Sequence, residues 1–398
     1  MAPTRRIAVV GASLGGLRTA EALRTLGYDG QLVVVGEEPH APYDRPPLSK
    51  DFLTRPMSVD ELTLRSRDRL DIDWRLGVRA TALDPGARSV RTTDGVLSDL
   101  DGVVIAAGAA ARTLELSGLA GIHTLRTAAD ALAIRESLAV AARGSGAVAI
   151  LGAGLVGCEV TASCRELGLS AVLVDPAPRP MARALPGVVG GLMAEEHRRE
   201  GVDLRLGTTV TSVRGRNRIS GVELSDGTSV EVDALVVAVG SVAATGWLAG
   251  SGLDHVDGVL ADEWCRALGG GGRVVAVGDV ARTPRPRGGP ERGEHWSLVV
   301  EQSLVAARAL LGDLSPGVPA VPFFWSDQYG RRLQIVGSPR DTDAYSVETS
   351  EQGWAVSFTR DDRLVGLAAL DLPGRVAAAR RTLRTASALA RSNHGGAS

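Results

Sequence analysis

The chain has 398 residues, of which 44% are hydrophobic, 23% charged and 49 glycine. That balance fits a folded protein of two to three domains and excludes a single small module, a disordered chain or a collagen-like one. With 44 basic against 46 acidic residues the formal charge is −2, so no global field draws the chain to nucleic acid or an anionic membrane. Any charged docking surface is local. One basic residue is a lysine, Lys50, and the rest are arginines.

The chain starts MAPTRRIAVVGASLGG, a basic start with a short apolar stretch and no signal-peptide core. No run approaches the roughly 18 apolar residues of a membrane span, and a cytoplasmic protein is expected. A β-branched strand is predicted at residues 7–10, a glycine turn at 11–16, and then a helix with apolar spacing at Leu17, Ala20, Leu23 and Leu26. The next strand, LVVVGEE, ends in Glu37 and Glu38, and an apolar strand GVVIAAG follows at 102–108. The opening unit is then repeated: a strand at 147–151, a turn at 152–157, a helix, and a strand AVLVD ending in Asp175. Further apolar strands are ALVVAVG at 234–240 and VVAVGD at 274–279. The Pro/Gly-rich stretch 282–295 and the glycine run 269–272 read as surface loops. Beyond Gly317, FFWSDQY, RLQIVG and GWAVSFT alternate as antiparallel strands do, and residues 376–391 read as a helix.

Two strand, glycine-turn, helix units so far apart are no solenoid repeat, and they point to two successive nucleotide-binding domains. In the second turn, Gly152, Gly154 and Gly157 enclose Ala153, Leu155 and Val156 in the spacing that permits a tight turn, backbone approach to a pyrophosphate and close helix packing. The bland alternative is glycines that only tighten a turn. Asp175, about 20 residues on, suits a ribose 2′-hydroxyl and repels a 2′-phosphate, favouring NADH over NADPH, while Arg179 and Arg183 nearby soften that preference. In the first turn Ser13 replaces the middle glycine, between Gly11 and Leu14, Gly15, Gly16. Serine is small enough for a phosphate to approach. With Glu37 and Asp279 the arrangement suggests a dinucleotide longer than NAD; Asp279 could bind a flavin ribityl hydroxyl or cap the next helix. Two such halves imply electron traffic between two bound cofactors, with FAD resident and NADH visiting.

Six motifs in order carry a family resemblance: YDRPPLSK (43–50), HTLRT (123–127), GAGLVGCE (152–159), VGDVAR (277–282), EHW…EQ (294–302) and FWSDQY (324–329). Together they closely resemble the FAD-dependent NADH:ferredoxin reductases of bacterial oxygenase systems, the putidaredoxin reductase and biphenyl dioxygenase reductase type. The resemblance implies an α/β, glutathione-reductase-like flavoprotein with two dinucleotide-binding domains and a C-terminal α+β domain. The FAD domain would comprise 1–112 and 241–317, the NAD domain 113–240 and the C-terminal domain 318–398. By the same resemblance the Gly11 to Gly16 turn and Glu37 hold the FAD adenosine diphosphate, and Arg45, Lys50 and Arg126 reach the cofactor. Ala80 touches the adenine through its backbone, Asp279 binds the ribityl chain, and the backbone near Trp296 meets the pyrimidine edge. The NAD side uses Gly152 to Gly157, Asp175 and the turn at Gly240.

Lys50 and Glu159 are the catalytic pair that the resemblance implies, facing each other near the flavin's hydride-accepting nitrogen. An ammonium there stabilises the anion formed on hydride uptake, and a carboxylate holds the ammonium in place. Trp296 and Trp325, core or edge aromatics by default, fall near the flavin in this family. Leu298, Val299 and Val300 after Trp296, and Ala243 with Ala244 after Gly240, depart from the family pattern. Cys158, Cys164 and Cys265 form no CxxC dithiol, disulfide framework or four-ligand zinc site, so thiol redox chemistry and a metal centre are not expected. The expected activity is NADH-dependent reduction of an iron–sulfur ferredoxin that feeds an oxygenase such as a cytochrome monooxygenase. Its docking site would lie near Arg282, Arg285, Arg287, Arg292 and Trp325. The rivals are an NADH oxidase or rubredoxin/quinone reductase, and an NADH-sensing flavoprotein with a signalling or partner-binding role.

Overall fold

The computed structural model describes residues 5–66, 70–116, 118–284, 289–315 and 321–392. The chain divides into two compact units. One comprises Met1–Asp44, Val59–Ala110 and Val242–Ala320, the other Arg45–Ser58, Ala111–Ser241 and Val321–Ser398. Arg285, Arg287 and the expected boundary at 317/318 lie outside the described residues.

The first unit is built on a five-stranded parallel sheet in the order Val274–Ala276, Gly102–Ile105, Arg6–Val10, Gln31–Gly36, Asp73–Leu76. Its strands are continuous apolar runs because both faces are covered. Val9 pairs with Val34 on one side and Val104 on the other, and all three are fully buried. Side chains alternate between faces along each strand. Ile7 and Val9 meet Ala20 and Leu23 of the helix Leu14–Thr25 and Ala306 of the helix Trp296–Leu310. Ala8 and Val10 instead meet Leu83, Val90 and Leu97, from an antiparallel sheet of Ala80–Asp84, Ser89–Thr92 and Gly95–Leu97. These short strands mix polar and apolar residues too irregularly to be read from the sequence.

The second unit has its own parallel sheet, Asp203–Leu206, Ser170–Asp175, Ala147–Leu151, Ala234–Val237, Ile122–Thr124. Helices Ala128–Ala141, Leu155–Glu166 and Gly187–Arg199 accompany it. The same unit carries a five-stranded antiparallel sheet, Phe323–Gln328, Arg331–Gly337, Arg363–Leu370, Trp354–Arg360, Ala344–Thr349. The helix Pro373–Ser392 lays Val376, Ala379 and Leu383 onto Val336, Leu367 and Ala369 of that sheet.

The strand at 147–151 and the three antiparallel strands lie where the sequence predicts them, to within a residue or two. Two expectations are corrected. Both glycine turns are shorter than predicted, because the helices begin at Leu14 and Leu155 and take the third glycine into their first turn. The stretch 282–295 is not wholly irregular: Ala281–Thr283 pairs antiparallel with Glu291–Arg292, with Arg282 opposite Arg292, so its ends are tied by backbone hydrogen bonds despite the prolines between them.

Candidate functional site

The two glycine turns have one geometry. Gly11 and Gly152 take φ of +122° and +107°, and a Cβ on either would stand 2.1 Å from the Ala106 carbonyl oxygen or 2.4 Å from that of Ala238. A Cβ on Gly16 or Gly157 would lie 1.9 or 1.8 Å from the carbonyl oxygen of Gly11 or Gly152. Those four positions admit glycine alone. The middle positions differ, for Ser13 has φ −124° and Gly154 φ −73°, conformations open to any residue. No atom lies within 4 Å of a Cβ built on Gly154. Serine at position 13 therefore costs the backbone nothing, and a middle glycine leaves room for a ligand. The glycine N-cap of the second helix, Gly154, carries no side chain to cap it, which suits a helix N-terminus that meets a phosphate. The residues present thus fit a dinucleotide at each turn.

Beyond these turns stand Glu37, expected at the FAD adenosine diphosphate, and Asp175, expected at a ribose hydroxyl. Glu37 follows the strand Gln31–Gly36 with its side chain 72% exposed and 3.9 Å from Arg79. Asp175 is committed further than expected. Its two oxygens accept the backbone N–H of Ala153 at 2.6 Å and of Ala177 at 2.7 Å, bracing the glycine turn itself. A carboxylate has about four acceptor sites, so a ribose hydroxyl can still be held. Gly240, with φ +104°, has the Arg183 guanidinium beside it and accepts the Arg112 N–H at 2.9 Å.

Asp279 sits inside the short 3₁₀ turn Gly278–Val280, whose N-cap is Val277, so the helix-cap alternative falls away. This turn is held from the helix Trp296–Leu310: buried Gln302 accepts the Gly278 N–H at 2.8 Å, and Ser303 reaches the Gly15 carbonyl at 3.3 Å. Trp296 opens that helix and donates its indole N–H to Asp44 at 3.2 Å. Of the residues departing from the family pattern, Val299 is buried against Gly15 and Gly278 and Ala243 is buried. Ala80, buried, opens its strand.

In the second unit the sequence-predicted pair comes together, with Lys50 Nζ 2.7 Å from Glu159 Oε2 and side chains 16% and 7% exposed. Lys50 follows the 3₁₀ turn Pro46–Ser49 and also donates to the Pro46 carbonyl at 2.9 Å. Glu159 lies on the helix Leu155–Glu166 and accepts two more hydrogen bonds, from Ser49 at 2.6 Å and Ser326 at 2.7 Å. Arg45 and Arg126 are neighbours too, the Arg45 guanidinium donating to the Arg126 carbonyl at 2.7 Å. Arg126 is followed by a capping box in which Thr127 and Asp130 exchange hydrogen bonds. Trp325 stacks on Phe323, ring centroids 6.0 Å apart.

The arginines proposed for docking are partly neutralised. Arg282 binds both oxygens of Asp254 at 3.1 Å, and Arg292 pairs with Asp257 at 3.2 Å and Glu294 at 2.8 Å. Asp254 and Asp257 lie in no motif marked in the sequence, whereas Glu294 opens EHW…EQ.

Residues 5–302 match the family model described as pyridine nucleotide-disulphide oxidoreductase, and residues 323–394 match one described as reductase C-terminal. The chain belongs to this oxidoreductase family. It is 34% identical to rhodocoxin reductase of Rhodococcus erythropolis, over 95% of this chain and 89% of the relative. It is also 34% identical to the ferredoxin–NAD(+) reductase component of the anthranilate 1,2-dioxygenase system of Burkholderia cepacia, over 94% and 93%. Its fold matches the covalent putidaredoxin reductase–putidaredoxin complex with a TM-score of 0.88 and 28% identity, covering 96% of this chain and 93% of that one.

Within the pyridine nucleotide-disulphide oxidoreductases this chain has no thiol poised for redox work. All three cysteines are buried and free, and burial pushes the Cys164 and Cys265 thiols up to about 12 and raises Cys158 as well. A thiolate is the reactive form. Among the described residues no cluster of metal-binding side chains occurs and no helix is long and apolar enough to cross a membrane. Sequence reasoning missed Ser49, Ser326, Gln302 and Gln328. All four lie within the quoted motifs, Ser49 in YDRPPLSK, Gln302 in EHW…EQ, and Ser326 and Gln328 in FWSDQY, and that membership was the signal that could have found them.

Proposed function

We propose that this oxidoreductase takes electrons from NADH through FAD and passes them singly to an iron–sulfur ferredoxin that serves an oxygenase. The observation that carries the reading is the pair of dinucleotide turns in one chain, each shaped by two glycines that tolerate no side chain. The relatives named as ferredoxin–NAD(+) reductases of oxygenase systems support it. Bound FAD supplies the exchange between a two-electron donor and one-electron acceptors, so that one NADH reduces two ferredoxins and releases one proton.

The roles assigned to this chain's residues follow. The turn of Gly11, Ser13, Leu14, Gly15 and Gly16, with Glu37, Arg45, Ala80, Arg126, Asp279 and the backbone at Trp296, holds FAD. The turn of Gly152, Gly154, Leu155, Val156 and Gly157, with Asp175 and Gly240, holds NADH in preference to NADPH. Residues 1–112 and 241–317 serve FAD, 113–240 serve NADH, and 318–398 form the C-terminal domain. Lys50 holds positive charge where negative charge develops, and Glu159 orients it. Ferredoxin docking is assigned to Arg282, Arg285, Arg287 and Trp325; the Asp254 carboxylate beside Arg282 moderates its share.

Stopped-flow reduction by NADH, followed by turnover with ferredoxin, rubredoxin, quinone and oxygen, tests the reading. Ferredoxin is expected to turn over fastest. Faster turnover with oxygen, rubredoxin or quinone would overturn it in favour of an oxidase or another reductase, and slow oxidation with a long-lived charge-transfer complex in favour of a sensing flavoprotein. Replacing Arg282, Arg285 and Arg287 together should raise the Michaelis constant for ferredoxin and flatten its salt dependence. If neither changes, the docking assignment is wrong.

A further inference from the structure

The strand Phe323–Gln328 turns two polar residues inward, Ser326 and Gln328, with 0% and 3% exposure. Such residues are costly to bury unless they are bonded. Ser326 Oγ lies 2.7 Å from Glu159 Oε1, and Gln328 Nε2 lies 2.9 Å from Ser326 Oγ. A hydroxyl has one proton. Because Ser326 accepts from the Gln328 amide, that proton goes to the carboxylate, and the polarity of the chain is set: the amide donates to the hydroxyl, the hydroxyl to one carboxylate oxygen, and the Lys50 ammonium to the other. Glu159 Oε2 is engaged on its other side by Ser49 and Lys50, and Ser163 donates to the Ser49 carbonyl at 2.8 Å. Without Ser326 the carboxylate is free to swing about the Oε2 contacts and to carry the ammonium with it.

The geometry points to Ser326, backed by Gln328, as the positioning residue that fixes the Glu159 carboxylate and through it the Lys50 ammonium. This inference rests on the proposed role of Lys50 toward the flavin. It adds that the antiparallel sheet near the C-terminus contributes to the reductive step through one hydroxyl.

The test compares Ser326→Ala, Ser326→Thr and Lys50→Met as purified holoenzymes with FAD content checked by visible spectrum. Two quantities are read: the NADH-driven flavin reduction rate at saturating NADH and the midpoint potential of the bound FAD. Lys50→Met is expected to lower both. Ser326→Ala should slow reduction about ten-fold, one hydrogen bond to a charged group expressed as a rate, and lower the potential in the same direction with the dissociation constant for NADH unchanged. Ser326→Thr, which keeps the hydroxyl, should restore both. If Ser326→Ala fails to fold, Ser326→Cys, a weaker donor of similar size, is read in its place. A wild-type potential and rate in the Ser326 variant beside an altered Lys50→Met enzyme would overturn the positioning role. An unaltered Lys50→Met enzyme would instead overturn the flavin role of Lys50 itself.

Discussion

Replacing His197 by phenylalanine should remove a specific part of the acid sensitivity of this protein. His197 lies on the helix Gly187–Arg199 and is fully buried. Its Nδ1 is hydrogen-bonded to the Tyr329 hydroxyl, while its Nε2 is buried without a hydrogen-bond partner among the described residues. A second N–H on this ring would have nowhere to donate, and burial pushes its pKa from 6.5 down to about 4. The unfolded chain therefore binds a proton that the folded chain refuses. Stability from the neutral ring is fully present above pH 6.5 and is lost as pH falls from there toward 4. The full shift is worth about 3 kcal/mol, of which about 2 kcal/mol has gone by pH 5. Urea unfolding of wild type and His197→Phe at pH 8 and pH 5, followed by circular dichroism, measures this as the pH-dependent part of their difference. Wild type should lose about 2 kcal/mol more than the variant over that interval. A difference independent of pH would refute the argument.

The glycine turns predict contrasting variants. Gly157→Ala places a methyl 1.8 Å from the Gly152 carbonyl and should lower the melting temperature sharply, whereas Gly154→Ala, with no atom within 4 Å, should keep it and raise only the dissociation constant for NADH in a titration. Gln302→Leu strands the Gly278 N–H in a buried setting; a loss of about 1–3 kcal/mol and faster release of FAD on dilution are expected from unfolding curves and flavin fluorescence. Native protein at pH 8 should leave a thiol reagent such as Ellman's unreacted, and denaturant should expose all three cysteines, because each is buried and burial holds the thiols protonated.

What could be read from the sequence was local or repeated. Ile7, Val9 and Val34 announce buried parallel strands by being β-branched, and Gly11 and Gly152 announce turns because only glycine takes their φ without cost. The pairing of Lys50 with Glu159 came from family likeness, since nothing in the spacing of two residues so distant brings them together. The rest is set by which remote residue the fold delivers. Asp175 reads as a ribose acceptor, yet its oxygens are first engaged by Ala153 and Ala177. Arg282 reads as free positive charge until Asp254 is beside it.

Ser326 and Gln328 make the same point more sharply. Alternation along FFWSDQ shows which residues share a face, but not whether that face meets water or a buried carboxylate. A serine and a glutamine turned toward water need no explanation, whereas the same pair at near-zero exposure must be satisfied by specific partners. Their partners are a glutamate on the helix Leu155–Glu166 and, through it, the chain's single lysine. Substituting arginine for Lys50 would put a flat, bulkier fork where the Pro46 carbonyl, the Ser49 hydroxyl and Glu159 converge on one compact ammonium. In a chain that uses arginine at every other basic position, the geometry of that cradle is a physical reason for lysine at position 50.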